Sequence, residues 1–224
     1  MRTNLPFFYR AFLLVFIAFS IAFSAHAQLT FDLSWRQGQV VLHSGDTLSG
    51  AVTLRHPDGI LIVHQPDGSV SSFTAVNVHS FEVRGQKQSG LFRRSASPLD
   101  FQRTYQSFMW NHDKDFSNFR SPAFFIVLKA GKNSLLMREI KVRHFANSGY
   151  GYYQGARMMQ ERIEEKFYLL LPNQEVRALR NPKKDLPDLF PKHAKEIKAF
   201  ARENKLSFNE PYELGQIINY VNSL

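Results

Sequence analysis

Cysteine is absent from this 224-residue chain. The protein therefore cannot form disulfides, bind zinc through thiolates or use a thiol as a nucleophile. No cysteine follows the apolar N-terminal run, so a lipid-anchored form is not expected. A chain of this length can bury enough apolar surface to fold without cross-links. We expect one domain, or one domain with a small appendage.

The local motifs of common enzymes are also missing. The sequence contains no GxSxG nucleophile elbow and neither of the glycine-rich phosphate loops, GxGxxG and GxxxxGK[ST]. Glu161, Glu164 and Glu165 lie among basic residues, which is typical of a salt-bridged surface. The sequence leaves open whether folding brings two carboxylates together, as in a glycosidase. We predict no catalytic residue and no cofactor, and a non-enzymatic role is favoured.

No metal site is predicted either. The segment 111–117 alternates oxygen-bearing side chains like the start of a calcium loop, but Phe116 replaces the turn glycine and Pro122 the bidentate glutamate. A polar surface loop is the better interpretation. Four histidines fall between residues 43 and 79, and no HxH or HxxxH pair occurs among them. These histidines are His43, His56, His64 and His79.

The N-terminus lacks an apolar run long enough to span a membrane. Residues 11–23 are apolar except for one serine, about 13 residues against the roughly 20 that a spanning helix needs. Two arginines precede this run, and Ala25 and Ala27 follow with the spacing of a signal-peptidase site. We predict cleavage before Gln28, with an uncleaved anchor as the alternative. The mature chain would then be exported to the periplasm, the outer membrane or the cell exterior.

Acidic residues are outnumbered, with 28 Lys and Arg against 19 Asp and Glu, for a net charge of +9. An export signal argues against a nucleic-acid partner, and the basic residues are scattered along the chain. We expect a solvated basic surface that faces anionic envelope components, such as lipid head groups or acidic glycans. An envelope protein is the other candidate partner.

Residues 38–54 form the clearest structural signal, a β-hairpin about a Ser-Gly-Asp turn. A three-residue loop over residues 44–46 would place Leu42 opposite Leu48 and keep the apolar faces together. Gly45 supplies a positive φ, Asp46 can bond nearby backbone, and Gly50 indicates a bulge or a close contact. The predicted structural turn residues are Gly45, Asp46, Gly50, Gly59, Gly68 and Gly131.

Two Pro-Asp-Gly turns, ending at Gly59 and Gly68, divide the next stretch into short strands. The predicted strands of this meander lie at about 39–44, 47–55, 60–65, 69–74 and 78–84. Further along, we predict strands at 124–128 and 134–142, and a hairpin of 166–171 with 175–179.

Aromatic residues concentrate in two places. Phe101, Tyr105 and Phe108 have the i, i+4, i+7 spacing of a short helix. A glycine- and tyrosine-rich loop is expected at 149–155. The candidate binding aromatics, for stacking on sugars or peptides, are Trp110, Tyr150, Tyr152 and Tyr153. Ordinary core and loop packing is the alternative for all four.

The C-terminus predicts two amphipathic helices, at about 191–204 and 210–223. The fold class is α+β and mainly β: an antiparallel meander, roll or partly open barrel with two C-terminal helices packed on it. The expected organisation is a signal peptide (1–27), a β-rich domain (28–180) and a helical segment (181–224). Residues 93–122 are a candidate insertion.

The chain resembles a group of uncharacterised secreted proteins of Gram-negative bacteria. The resemblance rests on the Gly-Asp-Thr-Leu-x-Gly hairpin (45–50), the segment 75–81, the strand with a Gly-Lys turn (125–136) and the Ile-Ile-Asn-Tyr-Val-Asn end (217–222). It implies location and architecture rather than a reaction. Together these features predict an exported, non-enzymatic binding or structural module, with an envelope-polymer hydrolase or a lipid carrier as alternatives.

Overall fold

The computed structural model describes residues 30–84, 102–113, 119–147 and 157–224. Within them, antiparallel strands form one curled half-barrel sheet, and helices follow at the C-terminus. The strands are β1 (Phe31–Leu42), β2 (Thr47–His56), β3 (Ile60–His64), β4 (Val70–Phe73), β5 (Val78–Arg84), β6 (Gln102–Trp110), β7 (Ser121–Lys129), β8 (Ser134–Asn147), β9 (Arg157–Leu170) and β10 (Val176–Leu179). The predicted fold class, mainly β with a partly open barrel, is confirmed.

Three helices follow the sheet: α1 (Pro182–Leu189), α2 (Ala194–Glu203) and α3 (Pro211–Val221), with a 3-10 turn at Pro191–His193. The two predicted helices correspond to α2 and α3, and α1 is an addition. The sequence did not indicate this helix, because Pro187 lies inside it, where proline is normally unfavourable. Burial of Pro182, Leu186 and Pro187 accompanies this short helix. In the part of the chain that the structure describes, no helix is long and apolar enough to cross a membrane.

The strand order is β10-β9-β8-β7-β6-β5-β1-β2-β3-β4. β4 and β5 are four positions apart, which in a flat sheet would separate them by about 19 Å. Only residues 74–77 connect them, in a turn where the Asn77 amide donates to the Thr74 carbonyl at 3.0 Å. Such a turn brings its first and fourth Cα atoms within about 7 Å. The first five strands must therefore curl until β4 approaches β5.

The first hairpin has the predicted faces but a different register. Val40, rather than Leu42, lies opposite Leu48. The predicted pairing is wrong by two residues because the loop is wider: the last pair is Val41 with Thr47, which encloses the five residues 42–46. Within this loop the Leu42 amide donates to the Asp46 carbonyl at 2.9 Å. A shift of two preserves the face of each side chain. Val40 is accordingly fully buried.

The predicted turn glycines have two different functions. Gly45, Gly59 and Gly68 have φ values of +94°, +67° and +86°, which L side chains rarely adopt. Gly50 instead allows a close approach, because a Cβ there would collide with the His64 carbonyl. A bulge also lies nearby, between Trp35 and Gly38 of β1.

Gly131, in the turn between β7 and β8, allows α3 to be anchored. A Cβ at this position would lie 2.5 Å from Asn222 Nδ2. Asn222 Oδ1 accepts hydrogen bonds from the Asn133 backbone amide at 2.9 Å and from its side chain at 3.0 Å. Asn222 Nδ2 donates to the Asn133 carbonyl at 2.9 Å. The end of α3 is thereby fixed to the sheet.

The aromatic segment before residue 111 is a strand, so the predicted helix through Tyr105 and Phe108 is wrong. β6 pairs with β5 and β7 in the middle of the sheet. Tyr105 faces one side, against Phe81, and Trp110 faces the other, against Phe125. Because both faces are covered, aromatic residues appear at odd and even positions alike and imitate a helical spacing.

Two apolar clusters occupy opposite faces of the sheet. The larger cluster includes side chains from all three helices, among them Leu186, Ile197 and Ile217. The smaller cluster consists of Trp110, Ala123, Phe125, Leu136, Tyr168 and Val176. The central strands are therefore buried on both sides, in keeping with the continuous apolar run predicted for residues 124–128.

Replacing Gly45 by valine should destabilise the fold by about 1–2 kcal/mol, because a β-branched residue is strained at φ +94°. No atom lies within 4 Å of the added Cβ, so backbone strain is the expected cause. Urea unfolding measures the effect. Ser49→Val, at an exposed strand position of β2, is the control and should change stability by less than about 0.5 kcal/mol. An unchanged Gly45→Val midpoint would contradict the turn assignment.

Gly50→Ala should cost about 2 kcal/mol or more, because the new methyl group meets backbone rather than a movable side chain. Gly215→Ala is the matched control, since that glycine lies inside α3 with nothing within 4 Å of an added Cβ. The control should gain up to about 1 kcal/mol of stability through helix propensity. Equal effects of the two substitutions in urea unfolding would refute the close approach of β2 to His64.

Candidate functional site

A groove lined by positive side chains lies on the helical segment, with a volume of about 680 Å³. We call it the basic groove. Its cations are Lys183, Lys195, Lys198, Arg202 and Lys205. Its apolar lining includes Ala199, Ala201, Leu206 and Phe208. The groove thus combines a charged rim with an apolar floor.

Helix periodicity and one tight turn build this groove. Lys195, Lys198 and Arg202 recur at i, i+3 and i+7 and lie on the exposed face of α2. Ile197, on the opposite face, is buried in the main core. After α2, Lys205 adopts a φ of +53°, and the Leu206 amide donates to the Ala201 carbonyl at 2.8 Å. This reversal places the following apolar residues beside α2.

The groove is electrostatically unbalanced. Its lining contains no Asp or Glu, and none of its five cations forms an ion pair with a residue that the structure describes. Glu196, an acidic residue of the same helix, lies within 3.4 Å of His193 instead. All five cations are exposed and therefore hydrated. The five cations repel one another, and no acidic residue of the lining offsets that repulsion. An anion in the groove would be attracted by several of them at once.

These basic residues are scattered along the sequence, and the structure brings them together from three segments. Lys183 comes from α1, three cations come from α2, and Lys205 comes from the turn after it. In the sequence, only the i, i+3, i+7 spacing of three cations along α2 indicated that they share one surface. The contribution of Lys183 depended on α1, which the sequence analysis did not predict.

A second cavity, of about 620 Å³, lies where the β2–β3 and β4–β5 turns approach strands β6 to β8. We call it the polar cleft. Its polar lining includes His56, Asp58, Thr74, Ser121, Arg138 and Glu139. Phe31, Pro57, Trp110 and Phe124 contribute apolar and aromatic walls.

Arg138 is held in this cleft by aromatic rings rather than by a carboxylate. Its Cζ lies 4.3 Å from the centre of the Trp110 ring and 5.4 Å from that of Phe125, within the range of cation–π attraction. Asp113 accepts hydrogen bonds from Trp110 Nε1 at 3.3 Å and from the Tyr168 hydroxyl at 3.1 Å. These donors occupy both carboxylate oxygens and fix the indole beneath the guanidinium.

The neighbouring residue Glu139 also lines the cleft, and its charge is neutralised by an ion pair with Arg103. Its Oε2 lies 2.9 Å from Arg103 Nη1, with both side chains largely buried. Burial, and then the Glu139 charge, raise the pKa of Tyr105 above its ordinary value. Alternation along β8 therefore places a paired carboxylate and an unpaired guanidinium on successive residues.

His56 is buried beside this cleft in its neutral form. Its ring stacks on Phe31 with 4.7 Å between centroids, and its side chain is only slightly exposed. Burial, reinforced by the charge of Arg138, lowers the pKa of His56 to about 4. Its Nε2 has no hydrogen-bond partner among the described residues.

Of the four candidate binding aromatics, the structure describes Trp110. Trp110 is 7% exposed and forms a wall of the polar cleft. Tyr150, Tyr152 and Tyr153 lie outside the described residues, as do Ala25, Ala27 and Gln28 of the predicted cleavage site.

The structure also describes the glutamates at 161–165 and the histidines between residues 43 and 79. Glu161 lies near Lys141 and Arg143, and Glu164 contacts Arg162, so this surface is salt-bridged as predicted. His43 and His79 have ring centroids 5.5 Å apart. Over residues 30–84, 102–113, 119–147 and 157–224, no three metal-binding side chains cluster.

Comparison with protein families, curated proteins and solved structures finds no match to this chain. The proposals below therefore rest on the geometry of the two cavities.

His56 predicts a specific loss of stability in acid. Its pKa is about 4 in the folded state and about 6.5 when unfolded, so the unfolded chain binds the proton first as the pH falls. The free energy of unfolding should decrease by about 1.4 kcal/mol per pH unit between pH 6.5 and 4, in total by at most about 3.5 kcal/mol. Urea unfolding at pH 7.5 and 4.5 measures this loss.

The control is His56→Phe, which keeps an aromatic ring on Phe31 and removes the titrating group. Between pH 7.5 and 4.5, the variant should lose less stability than the wild type, and the difference between the two losses should be about 2 kcal/mol or more. Carboxylates that titrate in acid contribute equally to both proteins and cancel. Identical pH dependence in the two proteins would contradict the buried neutral histidine.

Proposed function

We propose that this protein is an exported, non-enzymatic binding module that attaches to an anionic lipid surface of the cell envelope. The observation that carries the proposal is the basic groove, in which five exposed cations converge without an acidic partner in the lining. The predicted signal peptide supplies the compartment.

The chemistry of the groove favours a lipid phosphate. Each Lys or Arg close to an anionic membrane contributes about 1 kcal/mol of attraction, and several act together here. The apolar floor, which includes Leu206 and Phe208, suits the glycerol and acyl region next to the phosphate. A purely hydrophilic glycan would use the cations but not the floor.

The alternative functions have weaker geometric support. A hydrolase of envelope polymers would need two cooperating carboxylates. Of the two that line the polar cleft, Asp58 is exposed and Glu139 is paired with Arg103. A lipid carrier would need an apolar cavity, whereas the main core contains packed side chains from the sheet and all three helices.

Vesicle co-sedimentation tests the proposal. The mature protein should bind phosphatidylglycerol vesicles and not phosphatidylcholine vesicles, and the binding should weaken as salt is raised. The triple variant Lys195→Gln, Lys198→Gln, Arg202→Gln should bind about tenfold more weakly or worse. Circular dichroism should be unchanged, because all three side chains are exposed.

The matched control carries Arg36→Gln, Lys129→Gln and Lys132→Gln, three exposed residues outside the groove with the same loss of charge. It should retain most of the affinity. Equal losses in both triple variants would mean that net charge alone drives binding and would overturn the role of the groove. Binding to a soluble polyuronate but not to vesicles would transfer the proposal to an acidic glycan, and binding to neither would reject it.

A further inference from the structure

The charge of Arg138 is unusual because it is unpaired inside a cavity. Its Nε is buried without a hydrogen-bond partner, and no described residue forms an ion pair with it. Desolvating a guanidinium in this way is unfavourable unless hydrogen bonds or an opposite charge compensate. Burial accordingly lowers the pKa of Arg138. Cation–π contact with Trp110 offsets part of this cost and does not use the Nε donor.

Aromatic packing fixes the orientation of this guanidinium. Trp110 is held from below by the edges of Phe125 and Tyr168, at centroid distances of 5.5 and 5.7 Å. The hydrogen bond from its indole to Asp113 prevents the ring from turning. With its Cζ 4.3 Å from the centre of this ring, the guanidinium keeps N–H groups in the fork arrangement that matches an oxyanion.

The surroundings of Arg138 match a small organic anion. The polar cleft has a volume of about 620 Å³, within the usual range for small-molecule sites. Phe31, Pro57 and Phe124 provide apolar wall for a hydrophobic body. His56 is neutral and Ser121 carries a hydroxyl, and of the two carboxylates in the lining Glu139 is paired with Arg103 and Asp58 is exposed to solvent.

We propose that the polar cleft is a binding site for a small carboxylate ligand, with the oxyanion on the Arg138 fork and an apolar body against Phe31, Pro57 and Phe124. This site is separate from the basic groove and does not depend on it. Two cations line the polar cleft, Arg138 among aromatic rings and Lys141 paired with Glu161, whereas the basic groove has five exposed cations. Binding in the cleft should therefore depend less on salt.

Calorimetric titration with 1-naphthoate tests the site, and 1-naphthamide is the neutral analogue of the same shape. Wild-type protein should bind naphthoate at least tenfold more tightly than naphthamide, because only the carboxylate forms charge-assisted hydrogen bonds. Arg138→Met keeps an apolar stem over Trp110 and should lose this preference. Arg143→Met, an exposed position on the same strand, should behave like the wild type.

A second measurement covers the case in which Arg138→Met fails to fold. The ¹H–¹⁵N resonance of the Arg138 side chain is assigned as the one that disappears in Arg138→Lys. In the wild-type protein this resonance should shift on addition of naphthoate. Equal affinity for the two naphthyl compounds, no binding at millimolar naphthoate, or an unmoved Arg138 resonance would each overturn the proposal. The variant that disrupts the basic groove should bind naphthoate normally, so failure of the membrane function leaves this test intact.

Discussion

The short connection between β4 and β5 is the constraint on which the rest of the structure depends. Four residues must join strands that are four positions apart in the sheet, so the sheet has to curl. The same connection also contacts the later strands, since the Ser107 hydroxyl donates to the Ala75 carbonyl at 2.7 Å. The curl thus brings Thr74 to Val76 towards β6 to β8 and creates one wall of the polar cleft.

Burial of the central strands on both faces follows from this architecture. Helices cover one face, and the Trp110 cluster forms on the other. Successive residues of β8 therefore enter different environments: Glu139 meets Arg103, while Arg138 is left with aromatic rings. An unpaired buried cation is unfavourable for stability, and a ligand that pairs with it would recover part of that loss.

On the two proposals above, the cavities recognise two different kinds of anion. Cations of the basic groove are exposed and hydrated, which suits a fluid, multiply charged surface and makes association sensitive to salt. Arg138 is oriented by its neighbours before any ligand arrives, which favours selectivity for one oxyanion geometry. On these proposals the protein is held at an anionic surface while its cleft samples small ligands.

The sequence by itself determined the strands of the meander, the positive-φ glycines such as Gly45, and the last two helices. Each of these depends on neighbours within a few residues. Tertiary structure decided whatever depends on distant ones: the strand at β6, the helix with Pro187, and the contact of Gly131 with Asn222, which lies 91 positions later in the chain. The two cavities belong to this second group, because converging cations and an unpaired Arg138 exist only once the sheet has curled and the helices have packed.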